Sequence, residues 1–378
     1  MIYLDHAATT PVLPAAIEAA WPYLTGEFGN PSSSHELGHR AAGALEGART
    51  RVARALGARA SEVIFTSGGT ESDNAALVGL ALGNPRGRHI ISARTEHEAV
   101  LATLDYLERV HGFELTWLPL NREGIISLDN LRASVRPDTT LVSLMLANNE
   151  IGTIHPVAEV VTIAHAAGAR VHTDAVQAVG WLPVNFAELG VDALCISGHK
   201  IGAPKGSGAL LLSGGVPFEP LLHGGGQERE LRSGTENVAW AVALAAALEH
   251  VSPVETNGNF EHLNQRLIAG VLHAVPTAQH TGPETNRHPG ICSFIFPGVN
   301  GETLLLELEQ RGVIVSSGAA CAAGKDEPSH VLIACGYDED IARTSVRFSL
   351  GHSTSEHEVA SAVRALVEAH AAVSALGG

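Results

Sequence analysis

The chain has 378 residues and a formal net charge of -16 without any run of Lys or Arg, so direct binding to nucleic acid or to an anionic membrane is not expected. A chain of this length exceeds what one ordinary hydrophobic core supports, which predicts two domains. Its four cysteines lack CxxC spacing, its N-terminus lacks a signal-peptide pattern, and its most apolar window, 238–248, is too short to cross a bilayer, which predicts a reduced, cytoplasmic protein.

Short apolar runs alternate with amphipathic stretches from about residue 45 to residue 250. The apolar runs predict buried strands at 63–66, 90–92, 115–118, 141–145, 169–173, 193–197 and 209–212. Helical periodicity between strands is clearest at 98–110 and 157–167. This alternation favours an α/β fold with a mostly parallel sheet covered by helices on both faces.

A polar stretch that contains Pro253 and Gly258 follows an Ala-rich helix predicted at 237–250. Pro and Gly in such a stretch favour a break between domains. The elements predicted after the break are fewer: helices near 259–272 and at 355–374, and strands at 291–296 and 344–349. We therefore expect a large domain before this stretch and a smaller one after it.

Lysine is rare in this chain, which has only Lys200, Lys205 and Lys325. Lys200 ends the motif Ser-Gly-His-Lys after one predicted strand, and Asp174 lies at the end of the strand predicted before it. Lys can form an imine with an aldehyde, whereas Arg cannot, and a carboxylate can keep a pyridine nitrogen protonated. The pair predicts a pyridoxal phosphate (PLP) site, with a solvated surface lysine as the alternative. Lys205 is expected in a turn.

The stretch 66–72, Thr-Ser-Gly-Gly-Thr-Glu-Ser, predicts a glycine turn between a strand and a helix. The first N–H groups of the helix and the Thr70 hydroxyl would hold an anion there. A bare strand-to-helix turn is the alternative. Neither a Walker motif nor GxGxxG is present, so a single phosphate is favoured over a nucleotide.

Three further residues are candidates for chemistry. Cys321 lies in a small-residue, glycine-bounded segment, which favours an accessible thiol, whereas the other cysteines lie in apolar runs and are expected to be buried. Arg347 lies in an apolar strand and suits either an amino-acid carboxylate or an internal salt bridge. His97 follows a strand and suits either a role at the cofactor ring or a structural loop position. His35 and His39 have i,i+4 spacing but no third ligand, so no metal site is expected there.

Together these motifs closely resemble those of the cysteine desulfurases, which belong to the class V aminotransferase group of fold-type I PLP enzymes. The matching stretches cover nearly the whole chain: 4–11, 29–33, 66–72, 96–97, 148–150, 172–177, 197–200, 224–228, 232–237, 316–321, 327–330 and 347–349. The resemblance implies a large domain over 15–250 with a mostly parallel seven-stranded sheet. It also implies a small α/β domain, built from 1–14 and 251–378, that carries the Cys321 loop.

By the resemblance, the PLP site comprises Gly69, Thr70, His97, Asn148, Asp174, Gln177, Ser197, His199, Lys200 and, from the other subunit of a homodimer, Thr235. Lys200 is the Schiff-base lysine, Asp174 holds the pyridinium, and Gln177 contacts the phenolate oxygen. His97 stacks on the ring. The phosphate is held by the glycine turn, the Ser-Gly-His-Lys motif and Thr235.

The implied reaction converts L-cysteine to L-alanine and leaves a persulfide on Cys321. Arg347 and Asn148 fix the substrate carboxylate, Lys200 removes the Cα proton, and His97 assists deprotonation of Cys321. The sulfur then passes to an acceptor, such as an iron–sulfur scaffold protein, for iron–sulfur cluster, other thio-cofactor or tRNA thiolation biosynthesis. No intrinsic metal is implied; contact with an iron–sulfur cluster would come through Cys321.

The sequence departs from the family pattern at one place and leaves two alternative functions open. The chain stops soon after its last predicted helix, at Gly378, where family members that dock a scaffold have a longer tail, so a different acceptor is open. A selenocysteine lyase or C–S lyase on the same fold is the alternative enzyme, and it would not need Cys321. A non-catalytic binding protein is the other alternative, and it is expected to have lost Lys200 or Asp174.

Overall fold

The structure, a computed structural model, describes residues 1–84, 86–251, 257–317 and 327–376, without the side chains of 257–259 and 376. Its helices are α1 (Pro14–Leu24), α2 (Glu36–Ala55), α3 (Gly69–Gly83), α4 (Glu98–His111), α5 (Leu128–Ser134), α6 (Val157–Ala166), α7 (Phe186–Leu189), α8 (Val238–His250), α9 (Asn257–Ala274), α10 (Gly301–Gln310), α11 (His330–Ala334), α12 (Glu339–Ala342) and α13 (Glu356–Leu376). Its strands are β1 (Ile2–Tyr3), β2 (Val63–Thr66), β3 (His89–Ala93), β4 (Glu114–Leu118), β5 (Thr139–Ser143), β6 (Arg170–Asp174), β7 (Ala193–Ser197), β8 (Gly208–Leu212), β9 (Gln279–Thr281), β10 (Ile291–Ile295), β11 (Val313–Ile314) and β12 (Ser345–Ser349). The start of the predicted domain break, at 252–256, and the stretch that contains Cys321 and Lys325 lie outside the described residues.

A seven-stranded sheet with the strand order β2-β8-β7-β6-β5-β3-β4 organises the larger part of the molecule. From β7 to β4 in this order, each strand is parallel to the next. β8 is antiparallel to both of its neighbours, β2 and β7. Every residue of β3, β5, β7 and β8 is buried, as expected for strands covered on both faces. The predicted α/β fold with a mostly parallel sheet is confirmed.

Two hydrophobic clusters cover the opposite faces of this sheet, and a third lies in the C-terminal part. Ile90 and Ile91, successive residues of β3, belong to different clusters because side chains alternate across a strand. The C-terminal cluster surrounds a three-stranded sheet, β12-β10-β9, and includes Phe294 and Phe348. None of the described helices is both long and apolar enough to cross a bilayer.

Residues 1–10 connect the C-terminal part to the seven-stranded sheet. β1 pairs in parallel with β11, and Leu4 is buried in the C-terminal cluster. The segment continues to the end of β7, where the Thr10 N–H donates to the His199 carbonyl at 2.9 Å. The N-terminal segment therefore reaches the carboxyl ends of the central strands.

The residue before each helix determines whether the start of that helix is capped by a side chain. His97 precedes α4, and its Nδ1 accepts a hydrogen bond from the Ala99 N–H at 3.1 Å. His35 has the same role at α2, where its Nδ1 accepts from the Gly38 N–H at 3.2 Å. In contrast, Gly68 precedes α3 and has no side chain with which to cap it. The start of α3 therefore offers backbone N–H groups to an external anion.

Candidate active site

A cavity of about 270 Å³ opens at the carboxyl ends of β6 and β7, the place where parallel α/β sheets bind ligands. Its walls are formed by Ala7, Ala8, Gly69, Thr70, Asp73, His97, Met145, Ala147, Asn149, Asp174, Val176, Gln177, Ser197, His199, Lys200 and Arg347. Of the residues predicted for the site, all except Asn148, Thr235 and Cys321 are among these lining residues.

Asp174 ends β6 and is 6% exposed. Its Oδ1 accepts a hydrogen bond from the Val176 N–H at 2.8 Å. Burial raises the pKa of Asp174 to about 7; the nearby Asp73 carboxyl adds to this rise, and His97 opposes it. A cation placed against Asp174 would relieve this cost of ionisation. The carboxyl therefore suits a protonated ring nitrogen.

Lys200 projects into the cavity from a 3₁₀ turn, Gly198–Lys200, directly after β7. Its Nζ donates to the Ala8 carbonyl at 2.9 Å and also to the Ala7 carbonyl. The Gln177 side-chain amide donates to the same Ala7 carbonyl at 2.9 Å. The N-terminal segment thus forms one wall of the cavity and holds two of its polar side chains.

Another part of the cavity lining, which includes Gly69, Ser197 and His199, has the composition of a phosphate site. A Cβ atom at Gly69 would lie 3.0 Å from the Val176 side chain and 3.4 Å from that of Ser197, so glycine allows the start of α3 to approach closely. His199 lies beside Ser197, and burial and then the Lys200 charge lower its pKa to about 4. The uncapped helix start, the Ser197 hydroxyl and the His199 ring are donors suited to a phosphate. The residues present therefore fit PLP at its phosphate, its ring nitrogen and its aldehyde.

His97 faces the cavity from the start of α4. Burial lowers its pKa, the Asp174 carboxylate partly opposes this shift, and Lys200 and His330 add to it. Because its pKa is lowered, the His97 imidazole is neutral at neutral pH and can accept a proton there. His330 is close by, with its Nε2 3.0 Å from the Glu96 carbonyl oxygen.

Arg347 reaches the cavity from β12, with a side chain that is 2% exposed. Its Nη2 donates to Asp5 Oδ1 at 2.8 Å, and its Nη1 donates to the Asn149 carbonyl at 2.9 Å. The internal salt bridge that the sequence left open is therefore present. Since the guanidinium also lines the cavity, it is placed to meet a ligand carboxylate as well.

Asn148 does not line the cavity, in contrast to the implied contact with cofactor and substrate. Its side chain is fully buried: Oδ1 accepts from the N–H groups of Glu150 and Ile151 at 2.9 Å, and Nδ2 donates to the Thr95 carbonyl at 3.0 Å. These bonds use the amide to shape the loop. The next residue, Asn149, is the one that lines the cavity.

Thr235 and Cys321 are the other two exceptions. Thr235 is exposed and lies in a separate depression with Phe65 and Trp240. Cys321 lies outside the described residues, but the chain on both sides of it is described. Before it, Ser316 exchanges backbone hydrogen bonds of 3.2 and 2.7 Å with Arg347; after it, His330 contacts the Glu96 carbonyl. The first flank is therefore paired with Arg347, which lines the cavity, and the second contacts Glu96, the residue before the lining residue His97.

Sequence reasoning missed Asp73, although a signal was available. Asp73 follows Gly69 by four positions on α3, and i,i+4 residues share one helix face. Its Oδ1 lies 3.4 Å from His172 Nε2, which is 3.2 Å from Cys195 Sγ. Burial raises the pKa of Cys195 well above its ordinary value and lowers that of His172 to about 4. We interpret this cluster, whose His172 and Cys195 lie next to Asp174 on β6 and β7, as buried polar packing.

The family model for class-V aminotransferases matches residues 2–361 of this chain. The chain belongs to this family. It is 46% identical over 362 residues to the protein named Cysteine desulfurase IscS from Dictyoglomus turgidum, with 95% of the chain and 91% of that relative covered. It is also 46% identical over 375 residues to the IscS-like cysteine desulfurase of Mycobacterium tuberculosis, covering 97% of the chain and 95% of the relative.

A solved structure of a NifS-like protein superposes on the chain with a TM-score of 0.91 at 38% identity, covering 98% of this chain and 99% of the other. Both the curated relatives and this structure extend over nearly the whole chain. The resemblance to the cysteine desulfurases and the predicted fold class are therefore confirmed.

Proposed function

We propose that the protein is a PLP-dependent cysteine desulfurase that converts L-cysteine to L-alanine and carries the released sulfur as a persulfide on Cys321. One observation carries this proposal: a single cavity brings together Lys200, Asp174 and Arg347. These side chains suit an aldehyde, a pyridinium and an amino-acid carboxylate, respectively. The relatives named cysteine desulfurase support the same function.

In this proposal, the lining residues divide by the part of PLP that they would hold. Lys200 binds the aldehyde, Asp174 the ring nitrogen, and Gln177 the phenolate oxygen. His97 packs on the ring. The phosphate is held by Gly69, Thr70, Ser197 and His199, with Thr235 contributed by a second subunit. When bound, PLP supplies an electron sink for the charge that develops on the substrate Cα.

The substrate side of the cavity is provided by Arg347 and Asn149. Arg347 would bind the carboxylate through N–H groups that its salt bridge leaves available. Asn149 takes the place that the resemblance implied for Asn148, because it lines the cavity and its carbonyl already accepts from Arg347. With the carboxylate held there, Lys200 Nζ removes the Cα proton.

The sulfur step needs a thiolate, and His97 is the base proposed to produce it. Cys321 Sγ attacks the substrate sulfur, so that an S–S bond forms while the Cβ–S bond breaks. The electron pair left on carbon takes a proton and becomes the methyl group of alanine. The Cys321 sulfur is thereby oxidised and the carbon reduced, and no external oxidant is needed. Cys321 follows Ser317 by four positions, a reach of up to about 14 Å from the end of the described segment beside Arg347.

We further propose a cytoplasmic homodimer that passes its sulfur to an acceptor protein, such as an iron–sulfur scaffold or a component of thio-cofactor or tRNA thiolation synthesis. The exposed position of Thr235, outside the cavity of its own chain, supports a site completed by a second subunit. The free, buried thiols of Cys195, Cys292 and Cys335 suit a reducing compartment. The pairing of β1 with β11 supports a small domain formed by 1–14 and 251–378 beside a large domain of 15–250.

Intact mass after incubation with L-cysteine tests the proposed function. The protein should release L-alanine and gain about 32 Da, the mass of one sulfur atom, on the peptide that contains Cys321. Cys321→Ser should keep PLP but neither gain this mass nor release alanine at an appreciable rate, because its hydroxyl is mostly protonated and oxygen is a poor nucleophile toward sulfur. Cys335→Ser, at a buried thiol, is the matched control and should retain both properties. Alanine release by Cys321→Ser at the parental rate, without a sulfur adduct on the parent, would instead favour a selenocysteine or C–S lyase.

A further inference from the structure

Asp5 and Arg347 form an ion pair at the edge of the cavity, where the N-terminal segment runs beside β12. The distance from Arg347 Nη2 to Asp5 Oδ1 is 2.8 Å, and the Arg347 and Asp5 side chains are 2% and 16% exposed. Backbone bonds on either side of Asp5 hold it there: Ser349 donates to the Leu4 carbonyl at 2.7 Å and accepts from the His6 N–H at 3.3 Å. The position of this carboxylate is therefore set by backbone pairing.

The salt bridge leaves part of the Arg347 guanidinium available. Nη1 donates to the Asn149 carbonyl, and the buried Nε has no hydrogen-bond partner among the described residues. A guanidinium has five N–H donors in a planar fork, so it can serve a second anion while it stays bonded to the first. A carboxylate that enters the cavity would thus meet an arginine whose charge Asp5 already neutralises.

We infer that Asp5 determines how tightly the site binds the carboxylate of its amino-acid substrate, as an internal carboxylate that shares Arg347 with the ligand. The inference rests on the role proposed for Arg347. A buried cation needs a counter-ion when the site is empty, and Asp5 supplies it. When a ligand carboxylate binds the same guanidinium, the two anions repel each other, so Asp5 weakens ligand binding.

The surroundings of Arg347 support Asp5 as the relevant counter-ion. Glu150, another described acidic residue, also has a charge interaction with Arg347, but it is fully enclosed and its burial raises its pKa. Its carboxyl is occupied by Ser329, whose hydroxyl donates to it at 2.5 Å. Asp5 instead makes direct contact with the guanidinium. Weaker binding of carboxylates would favour product release, because the proposed product, L-alanine, carries the same carboxylate as the substrate and must leave.

Binding measurements on the PLP-loaded enzyme separate the charge of Asp5 from its hydrogen bond. Asp5→Asn keeps an oxygen that accepts from Arg347 but removes the competing charge. We expect this variant to bind L-alanine about tenfold more tightly than the parent, measured as a dissociation constant by calorimetry. Ethylamine, which lacks the carboxylate, should bind both proteins equally. The KM for L-cysteine should fall with little change in kcat.

Asp129→Asn, which removes one charge from an exposed pair with Arg132, is the matched control and should leave both constants unchanged. Asp5→Ser removes the same charge and replaces Asp5→Asn if that variant does not fold. Unchanged or weaker L-alanine binding in the Asp5 variant overturns the inference, as does an equal gain for ethylamine. Arg347→Lys distinguishes a failure of the role proposed for Arg347 from a failure of the inference about Asp5. If it binds L-alanine as the parent does, the proposed role of Arg347 is wrong; if it loses L-alanine binding while the Asp5 variant shows no gain, only the inference fails.

Discussion

Lys200 Nζ lies 2.9 Å from the carbonyl oxygen of Ala8, a residue 192 positions earlier in the chain. The adjacent Ala7 carbonyl accepts from Lys200 and from Gln177. An ammonium group has three N–H donors, and an amine that has bound an aldehyde has fewer. If PLP binds Lys200 as proposed, the contacts of the N-terminal segment, which also carries Asp5, must therefore change.

Lys200→Ala should abolish covalent attachment of PLP. Borohydride treatment of the parent should fix a pyridoxyl group on the peptide that contains Lys200, and mass spectrometry detects it. Lys205→Ala is the control, because Lys205 is also a lysine of this region but is exposed in a turn. It should keep the adduct and the yellow colour. An adduct on the Lys200→Ala protein would place the cofactor on another residue.

Asp174→Asn should stabilise the cofactor-free protein at pH 8 and weaken its binding of PLP. The pKa of Asp174 is raised to about 7 in the folded state, whereas the carboxyl of the unfolded chain ionises at about pH 4, so the fold loses stability relative to the neutral amide as the pH rises from about 4 to about 7. The difference in unfolding free energy between variant and parent should grow from pH 5 to pH 8, up to about 4 kcal/mol. Denaturant titrations at both values measure it, with Asp129→Asn as the exposed control. If the parent is as stable as the variant at pH 8, ionisation of Asp174 does not destabilise the fold, and the prediction is wrong.

His155→Leu should reduce the loss of stability of the protein in acid. His155 is 2% exposed, and its burial lowers its pKa to about 4. Because the unfolded chain binds a proton near pH 6.5 and the folded chain does not, stability falls as the pH drops from about 6.5 toward about 4. Removal of this histidine should recover about 2–3 kcal/mol of that loss at pH 4.5. Urea titrations at pH 7 and pH 4.5 measure the difference, and His39→Leu, at an exposed position, should show no such recovery.

Mixing Lys200→Ala and Thr235→Ala subunits tests whether each site is shared between two chains. If Thr235 serves the partner's phosphate site, a hybrid dimer has one intact composite site and one that lacks both residues. With random exchange, half of the dimers are hybrids, so the mixture should regain about a quarter of the parental turnover of L-cysteine. The control mixture, Lys200→Ala with Asp174→Asn, should regain nothing, because both residues belong to the same chain's cavity. Equal activity in the two mixtures would contradict a shared site.

The strands and the motif residues attached to them were predictable from the sequence, because each depends on short-range patterns. The predicted strand 193–197 is β7, and Lys200 follows it at the predicted position. The glycine turn at 66–72 likewise precedes a helix, α3. Apolar runs of strand length bounded by glycine are local signals, and the ends of parallel strands meet at one sheet edge. That combination was enough to bring Asp174 and Lys200 to one site.

The choice between adjacent residues required the tertiary structure. Asn148 and Asn149 are identical side chains in one loop, and nothing local distinguishes them. Hydrogen bonds to Thr95 and to the loop's own N–H groups turn Asn148 away and leave Asn149 at the cavity. The sequence also left two readings of Arg347, and its distant partner Asp5 decided that a salt bridge is present.

The sequence by itself determined the chemistry of the site: an amine-bearing strand end, a carboxyl on the neighbouring strand, a glycine turn and a candidate thiol. Only the tertiary structure decided how the two ends of the chain meet there, with residues 5–8 against Lys200 and Arg347. The physical reason is the sequence separation over which each kind of interaction acts. Periodicity and turn signals act over a few residues, whereas the pairing of β1 with β11 joins strands more than 300 positions apart and depends on the packed core beneath them.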